Sequence, residues 1–193
     1  MAPPSTHRTR RYPGSPDLIL ALQRATDRAV FYDIDPAAAA SLRSSIHRPR
    51  VDVYEADGLA TLPDLLARAP ESVDVLVHID PPYGLKSDWH TVPDALIAAY
   101  QARPATRFLL WYPVKSYTRP NAMLQRLERA RVPSTTLELI TTPLELQRNR
   151  LNGSGMLTVG IPERVLAEML AVTPVLGRAC ATHGARWTTR AVS

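Results

Sequence analysis

A carboxylate, two prolines and an aromatic ring stand in one uninterrupted run, Asp80-Pro81-Pro82-Tyr83. The Asp80 carboxylate and the Pro81 carbonyl are hydrogen-bond acceptors, and neither proline carries an N–H that would compete for them. Two such acceptors can bind both hydrogens of an exocyclic adenine nitrogen and localise its lone pair for attack on a methyl group. Tyr83 can then stack on the extruded base. The alternative interpretation is a proline turn in which Asp80 is a local cap.

Two further acids follow apolar strands. Asp33 ends the run AVFYD, and Asp57 follows VDVYEA and precedes Gly58. An acid at the end of the second strand of a Rossmann-like sheet can accept hydrogen bonds from both hydroxyls of a ribose. Asp57 can accept from an adenine amine, and Gly58 lets the backbone approach a flat ring. Each acid alone is also typical of a helix cap or a solvated loop.

The remaining candidates are a serine, a tryptophan and three cations. Ser15 is predicted to cap a helix with Pro16 at the first helical position, and a helix N-terminus also binds polar ligand groups. Trp111 closes a strand, where it is a pocket wall or a core residue. The three cations contact RNA phosphates or are simply solvated: Lys86, Lys115 and Arg119. The five histidines lack metal-ligand spacing, so we expect no metal site.

The elements that position these residues alternate along the chain. Apolar runs of strand type are followed by helical periodicities, which predicts a Rossmann-like α/β fold with a mainly parallel sheet and helices on both faces. Ligands bind at the carboxyl ends of the strands in such sheets. The last two runs, STTLELIT and GMLTVGIP, suggest an antiparallel pair. We expect a loose basic tail over residues 1–11, one domain over 12–180 and a frayed tail over 181–193.

Composition narrows the class of protein. The chain has 193 residues, 45% of them hydrophobic, a net charge of +5 and one cysteine. It contains no apolar run of membrane-spanning length and no apolar stretch behind its first basic residues, which predicts a cytoplasmic protein without a secretion signal. A single cysteine excludes an internal disulfide and a cysteine-based zinc site. The positive charge fits a nucleic-acid partner, or a mildly basic surface without that role.

Six motifs in order carry a family resemblance: YPGSP, DIDP, EADG, HIDPPY, LLWYP and NGSGM. Over residues 12–176 the chain resembles the bacterial RlmJ-type family, which methylates an adenine N6 in 23S ribosomal RNA. The resemblance implies S-adenosylmethionine as cofactor, protein-free or precursor 23S ribosomal RNA as partner and a monomer. It implies that Asp80, Pro81, Pro82 and Tyr83 are catalytic. It assigns the cofactor to Ser15, Asp33, Asp57, Gly58 and Asp80. The candidates for contact with RNA come from residue type and position in the chain: Tyr83, Lys86, Trp111, Lys115 and Arg119.

The sequence also departs from the family pattern. Asp33 stands where the family places a glutamate, and the family's first strand and glycine-rich turn precede the YPGSP segment, where this chain has only eleven residues before Tyr12. That strand would be central, so we expect its two neighbours to lose hydrogen-bond partners and the cofactor to bind weakly. A truncated or split family member is the hypothesis that follows. The alternatives are a methyltransferase for DNA adenine or another amine, and a catalytically dead nucleic-acid-binding remnant.

Overall fold

The chain forms two compact units, Met1–Gly58 and Leu59–Ser193. The structure, a computed structural model, describes residues 13–146 and 150–180 and the backbone of residues 186–192. The sequence predicted one domain over residues 12–180, and the division arises because the first two strands form a sheet of their own. The predicted basic tail, residues 1–11, lies outside the described residues.

The first unit contains two strands and two helices. These are α1 (Ser15–Leu22), β1 (Ala29–Asp33), α2 (Pro36–Ser45) and β2 (Val51–Glu55). The strands are parallel and in register from their first to their last residues. The Asp35 carboxylate accepts hydrogen bonds from the amides of Ala37, at 2.8 Å, and Ala38, at 3.3 Å. Asp35 therefore caps α2 with Pro36 at the first helical position, which confirms the predicted start of this helix.

The second unit contains a five-stranded mixed sheet. Its order is β3-β4-β6-β5-β7. The strands are β3 (Leu76–Ile79), β4 (Arg107–Val114), β5 (Ser134–Ile140), β6 (Gly153–Val159) and β7 (Arg186–Val192). Only β3 and β4 are parallel, while the other three pairings are antiparallel. The predicted antiparallel pair is confirmed as β5 and β6, but this sheet is not mainly parallel because no helix connects those two strands.

The C-terminal segment differs from its prediction. Residues 181–193 were expected to fray, yet β7 pairs with β5 over its full length, Arg186 lying opposite Ile140 and Val192 opposite Ser134. The sequence of β7, RWTTRAV, is rich in aromatic and β-branched residues, which favour strands. A seven-residue run of this composition therefore extends the sheet, and residues 181–185 and 193 lie outside the described part of the chain.

The core of the second unit lies between this sheet and its helices. The helices are α3 (Gly58–Ala67), α4 (Asp88–Ala102), α5 (Thr118–Arg129) and α6 (Glu163–Cys180). Phe108, Leu110 and Tyr112 are fully buried and alternate along β4, as strand periodicity requires. The Tyr112 hydroxyl donates to the buried Glu138 carboxylate at 2.8 Å, which satisfies a polar pair inside the sheet.

Among the described residues, four strands have an edge without a strand partner. β1 and β2 pair only with each other, β3 pairs only with β4, and β7 pairs only with β5. Such edges occur at the margin of any open sheet, so the expectation that two neighbours of a central strand lose hydrogen-bond partners stays a prediction. Leu76 of β3 is 60% exposed, and Arg107, its partner in β4, is half-buried. None of the described helices is long and apolar enough to cross a membrane.

Candidate active site

The Asp80-Pro81-Pro82-Tyr83 run forms the turn that leaves the carboxyl end of β3, and we call it the acceptor turn. Asp80 directly follows the buried Ile79, and its own side chain is exposed. Within the described part of the chain, this carboxylate makes no hydrogen bond and no ion pair. Because neither proline has an N–H, no amide of these two residues can occupy it. The acceptor oxygens of Asp80 are therefore open to solvent at the strand end.

Tyr83 fixes the end of the acceptor turn. Its φ is 48°, in the left-handed region that side chains other than glycine rarely adopt, and this conformation costs about 1–2 kcal/mol. The ring is nevertheless 7% exposed, with its centroid 4.6 Å from that of Trp89 and 6.3 Å from that of Trp111. The hydroxyl lies 3.9 Å from the sulfur of Met123 in α5. Packing of the ring thus offsets the strain and holds the turn in one conformation.

The surroundings of Tyr83 also decide its protonation. Burial raises the pKa of its hydroxyl well above the ordinary value, and the negative charges of Asp88 and Asp80 raise that pKa further. The hydroxyl is therefore neutral at physiological pH and does not serve as a base there. Its ring packs against two tryptophans of the protein, so the stacking of Tyr83 on a base stays a prediction.

The predicted RNA-contacting cations lie at the same edge of the sheet. Lys86 follows the acceptor turn, and Lys115 and Arg119 follow β4, the parallel neighbour of β3. All three are exposed, and none forms an ion pair with the described residues. Trp111 is half-buried and contacts Tyr83 edge-on. Arg119 was predicted in a loop but lies in the first turn of α5. The segments that follow β3 and β4 therefore combine positive charge with the aromatic group behind the acceptor turn.

Asp33 and Asp57 lie at the carboxyl ends of β1 and β2, in the first unit. The amide of Ala56 donates to the carbonyl of Asp33 at 3.1 Å, which keeps the two strand ends together. One carboxylate oxygen of Asp33 accepts from the amide of Asp35 at 2.9 Å. Asp33 is half-buried and Asp57 is exposed. Two neighbouring acids of this kind fit the hydroxyls and the amine of an adenosine group.

Gly58 has a structural role within the first unit. A Cβ at this position would lie 2.8 Å from the Cβ of Tyr32, so any side chain would collide with β1. Tyr32 stacks on Tyr54 of β2, with ring centroids 5.3 Å apart, and cannot retreat without breaking this contact. Glycine is therefore required for packing of the protein against itself. The predicted approach of Gly58 to a cofactor ring stays a prediction.

The prediction that Ser15 caps α1 is wrong. Gly14 is the N-cap, Ser15 is the first helical residue and Pro16 the second. The Asp17 carboxylate accepts the Gly14 amide at 3.1 Å, so an acid three residues along the chain supplies the capping contact. Ser15 makes no side-chain cap hydrogen bond, and it lies half-buried in the first helical turn. Its hydroxyl still stands where helix amides point outward.

The chain matches the family model described as Ribosomal RNA large subunit methyltransferase D, RlmJ, over residues 4–192. This chain belongs to that family. It is 31% identical over 169 residues to Ribosomal RNA large subunit methyltransferase J of Escherichia coli, and 28% identical over 186 residues to the protein of that name from Haemophilus influenzae. These matches cover 86% and 93% of the chain, but 59% and 64% of the two relatives.

The fold is shared with a solved structure as well. The crystal structure of protein LPL1258 from Legionella pneumophila is 24% identical and superposes with a TM-score of 0.85. The match covers 94% of this chain and 67% of that one. This chain thus has the Rossmann-like α/β fold that its sequence predicted. Among the described residues, no group of three or more histidines, cysteines or acids could hold a metal ion.

The sequence did not single out Trp89. It lies in the first turn of α4, six positions after Tyr83, and is 8% exposed. Its ring is tilted 45° to that of Tyr83, and together they form the packed side of the acceptor turn. An aromatic residue in the first turn of the helix that follows a turn ending in another aromatic residue is a usable signal. We therefore add Trp89 to the residues that position the site.

Proposed function

We propose that this chain contains the site that binds the target adenine in an enzyme that methylates the N6 of an adenine in 23S ribosomal RNA. The observation that carries the proposal is the acceptor turn, where Asp80 is exposed and has no partner among the residues that the structure describes, while Tyr83 is buried and strained. Membership of the family supports the substrate class, because the relatives are named as ribosomal RNA methyltransferases. The reaction belongs in the cytoplasm, with ribosomal RNA as the partner, and needs no second subunit.

The chemistry at the turn follows from its acceptors. The Asp80 carboxylate and the Pro81 carbonyl bind the two amino hydrogens of the adenine, which localises the nitrogen lone pair outside the ring. Because the turn is held in one conformation, these acceptors need no reorganisation when the amine attacks. The proton that the amine loses afterwards goes to Asp80 or to water. The surrounding cations Lys86, Lys115 and Arg119 bind phosphates of the same RNA.

The cofactor of the proposed enzyme is S-adenosylmethionine, which supplies an electrophilic methyl group when bound. Asp33 would accept the ribose hydroxyls and Asp57 the adenine amine, because both acids are accessible at adjacent strand ends. Gly58, the Ser15 hydroxyl and Asp80 are the other residues assigned to this group. Asp33 shares one oxygen with the amide of Asp35, which leaves its second oxygen for the ribose.

Methyl transfer to RNA tests the proposal directly. The purified chain is incubated with methyl-labelled S-adenosylmethionine and either deproteinised 23S ribosomal RNA or duplex DNA, and the labelled nucleotide is identified by mass spectrometry. We expect N6-methyladenosine in the RNA alone. Labelling of the DNA instead would replace RNA by DNA as substrate, and no labelling of either would refute the proposed activity of this chain.

A pair of matched variants assigns the chemistry to Asp80. Asp80→Asn keeps the size of the side chain but replaces a charged acceptor, and we expect turnover to fall on the order of a hundredfold or more. Asp64→Asn in α3 is the control, since Asp64 is also an exposed acid. Equal activity of Asp80→Asn and the control would exclude the role assigned to Asp80. Cofactor affinity, measured by calorimetry, should change little in either variant.

A further inference from the structure

Leu85 is displayed on the surface directly beyond the acceptor turn. Its side chain is 68% exposed, although Tyr83, two residues earlier, is buried. The Leu85 amide donates to the Asp88 carboxylate at 2.9 Å, and the Asp88 amide donates back to the Leu85 carbonyl at 3.3 Å. Two reciprocal hydrogen bonds therefore close this turn at the start of α4. Leu85 is exposed because an ordered turn holds it outward.

An exposed leucine by itself needs no explanation, since apolar atoms form much of any protein surface. The surroundings of Leu85 are what distinguish it. Lys86 is the next residue, and Lys115 and Arg119 follow the neighbouring strand at the same edge of the sheet. Gly84, on the other side, has open space around it. An exposed apolar side chain thus lies next to a lysine and five positions after the exposed Asp80, at an edge of the sheet whose cations form no ion pair with the described residues.

An enzyme that modifies a stacked base in RNA can use an exposed apolar side chain such as Leu85. The target adenine must leave its stack, and the unstacking costs free energy unless another group fills the gap. Proteins that distort nucleic acids commonly insert leucine, phenylalanine or a similar apolar wedge between bases for this purpose. The ring of Tyr83 packs against Trp89 and Trp111 and is not at the surface. Leu85 is the large apolar side chain of this turn that is at the surface.

We propose that Leu85 is a wedge that enters the base stack of the RNA and takes the place of the extruded adenine. This inference rests on the proposed function, because it presumes an adenine in RNA as the target. Lys86 beside it, together with Lys115 in the loop after β4 and Arg119 in the first turn of α5, binds the phosphates that flank the gap. The Asp88 hydrogen bonds hold the wedge in place before the RNA arrives. Leu85 is thus a positioning residue that acts on the stack and not on the reacting nitrogen.

The test compares two RNA hairpins that carry the adenine mapped in the methylation assay. In one hairpin the adenine is stacked in a helix, and in the other it is an unpaired bulge that is already unstacked. We expect Leu85→Ala to slow methylation of the stacked hairpin by on the order of tenfold to a hundredfold and that of the bulged hairpin by less than about twofold. Leu85→Phe should retain activity on both. Leu170→Ala, on the partly exposed surface of α6, is the matched control and should change neither rate.

A second readout does not depend on methyl transfer. With 2-aminopurine in place of the target adenine in the stacked hairpin, extrusion raises the emission of the probe. We expect the wild-type chain to raise it and Leu85→Ala to raise it much less, at RNA concentrations that saturate both. An equal loss of methylation on both hairpins, or an equal emission rise with Leu85→Ala, would overturn the wedge. If the wild-type chain methylates no RNA, the proposed function fails and the wedge fails with it. If the wild-type chain methylates the stacked hairpin while Leu85→Ala raises the emission as much as the wild type does, the wedge alone fails.

Discussion

Because the backbone of Tyr83 is strained, we expect its glycine variant to be more stable than its alanine variant, the reverse of the usual order. Tyr83→Phe keeps the buried ring and loses only the 3.9 Å contact of the hydroxyl with Met123, so we expect a loss below about 1 kcal/mol. Tyr83→Ala removes a ring that is 7% exposed and should cost about 3–5 kcal/mol. Tyr83→Gly removes the same ring but adopts φ 48° without strain. The gain of about 1–2 kcal/mol, less the extra entropy of glycine in the unfolded chain, leaves glycine more stable than alanine by about 0.5–1 kcal/mol.

Urea unfolding followed by tryptophan fluorescence measures this order. Trp89, Trp111 and Trp187, the three tryptophans of the chain, all lie in the second unit, so the signal reports on the unit that contains Tyr83. For a slope of about 2 kcal/mol per molar urea, the glycine variant should unfold about 0.3–0.5 M above the alanine variant. An alanine variant as stable as the glycine variant would refute the left-handed conformation. A phenylalanine variant as weak as alanine would show that the hydroxyl, and not the ring, holds the turn.

Three more predictions concern packing, local stability and pH. Gly155→Ala should destabilise the second unit by about 1–3 kcal/mol in thermal unfolding, because its Cβ would overlap the buried Tyr112 ring, whereas Gly84→Ala, with open space around it, should be neutral. Amides of β1 and β2 should exchange hydrogen faster than those of β4 and β6, because a two-stranded sheet is marginal and few side chains of the first unit are buried. The pKa of Tyr83 is raised in the folded state, so the folded state keeps its hydroxyl neutral when the unfolded state has begun to ionise. The stability that this difference contributes is complete below the unfolded pKa of about 10 and is lost as the pH rises above that value. The unfolding free energy of Tyr83→Phe should therefore fall less steeply than that of the wild type in alkaline titrations.

The sequence located the acceptor turn but did not predict what holds it. An acid after an apolar run places Asp80 at the carboxyl end of a strand, and the structure has it there, exposed. The conformation of Tyr83 depends on Trp89 in the next helix and Trp111 in the next strand, which are separated from it by 6 and 28 positions. Contacts between distant positions do not follow from local periodicity. The aromatic ring was therefore predicted as a ligand contact, while its observed partners are side chains of the core.

Helix caps and terminal strands show where local signals compete. Ser15 and Pro16 match a cap followed by a first-turn proline, but Asp17 forms the capping contact with Gly14 and moves the helix start by one residue. The same signal at Asp35 was correct, because no acid three residues further on offers a competing contact. In the C-terminal segment, position at the chain end suggested fraying. Strand propensity and the available edge of β5 outweighed it.

At the end of β3, the exposed Asp80 and the buried Tyr83 have different roles. A site that binds the amine of a base needs hydrogen-bond acceptors that are accessible to the base and also fixed before it binds. One side chain rarely satisfies both needs. Here Asp80 is exposed and Tyr83 is buried. The two prolines between them restrict the backbone, so fixing the Tyr83 ring also limits the positions that the Asp80 carboxylate can take. Tyr83, Trp89 and Trp111 therefore fix the turn from the core, and in the proposed enzyme Asp80 would bind the amine at the surface. Substitutions behind the turn should for this reason lower turnover more than they lower RNA affinity, because they loosen the acceptors while leaving Lys86 and its neighbouring cations in place.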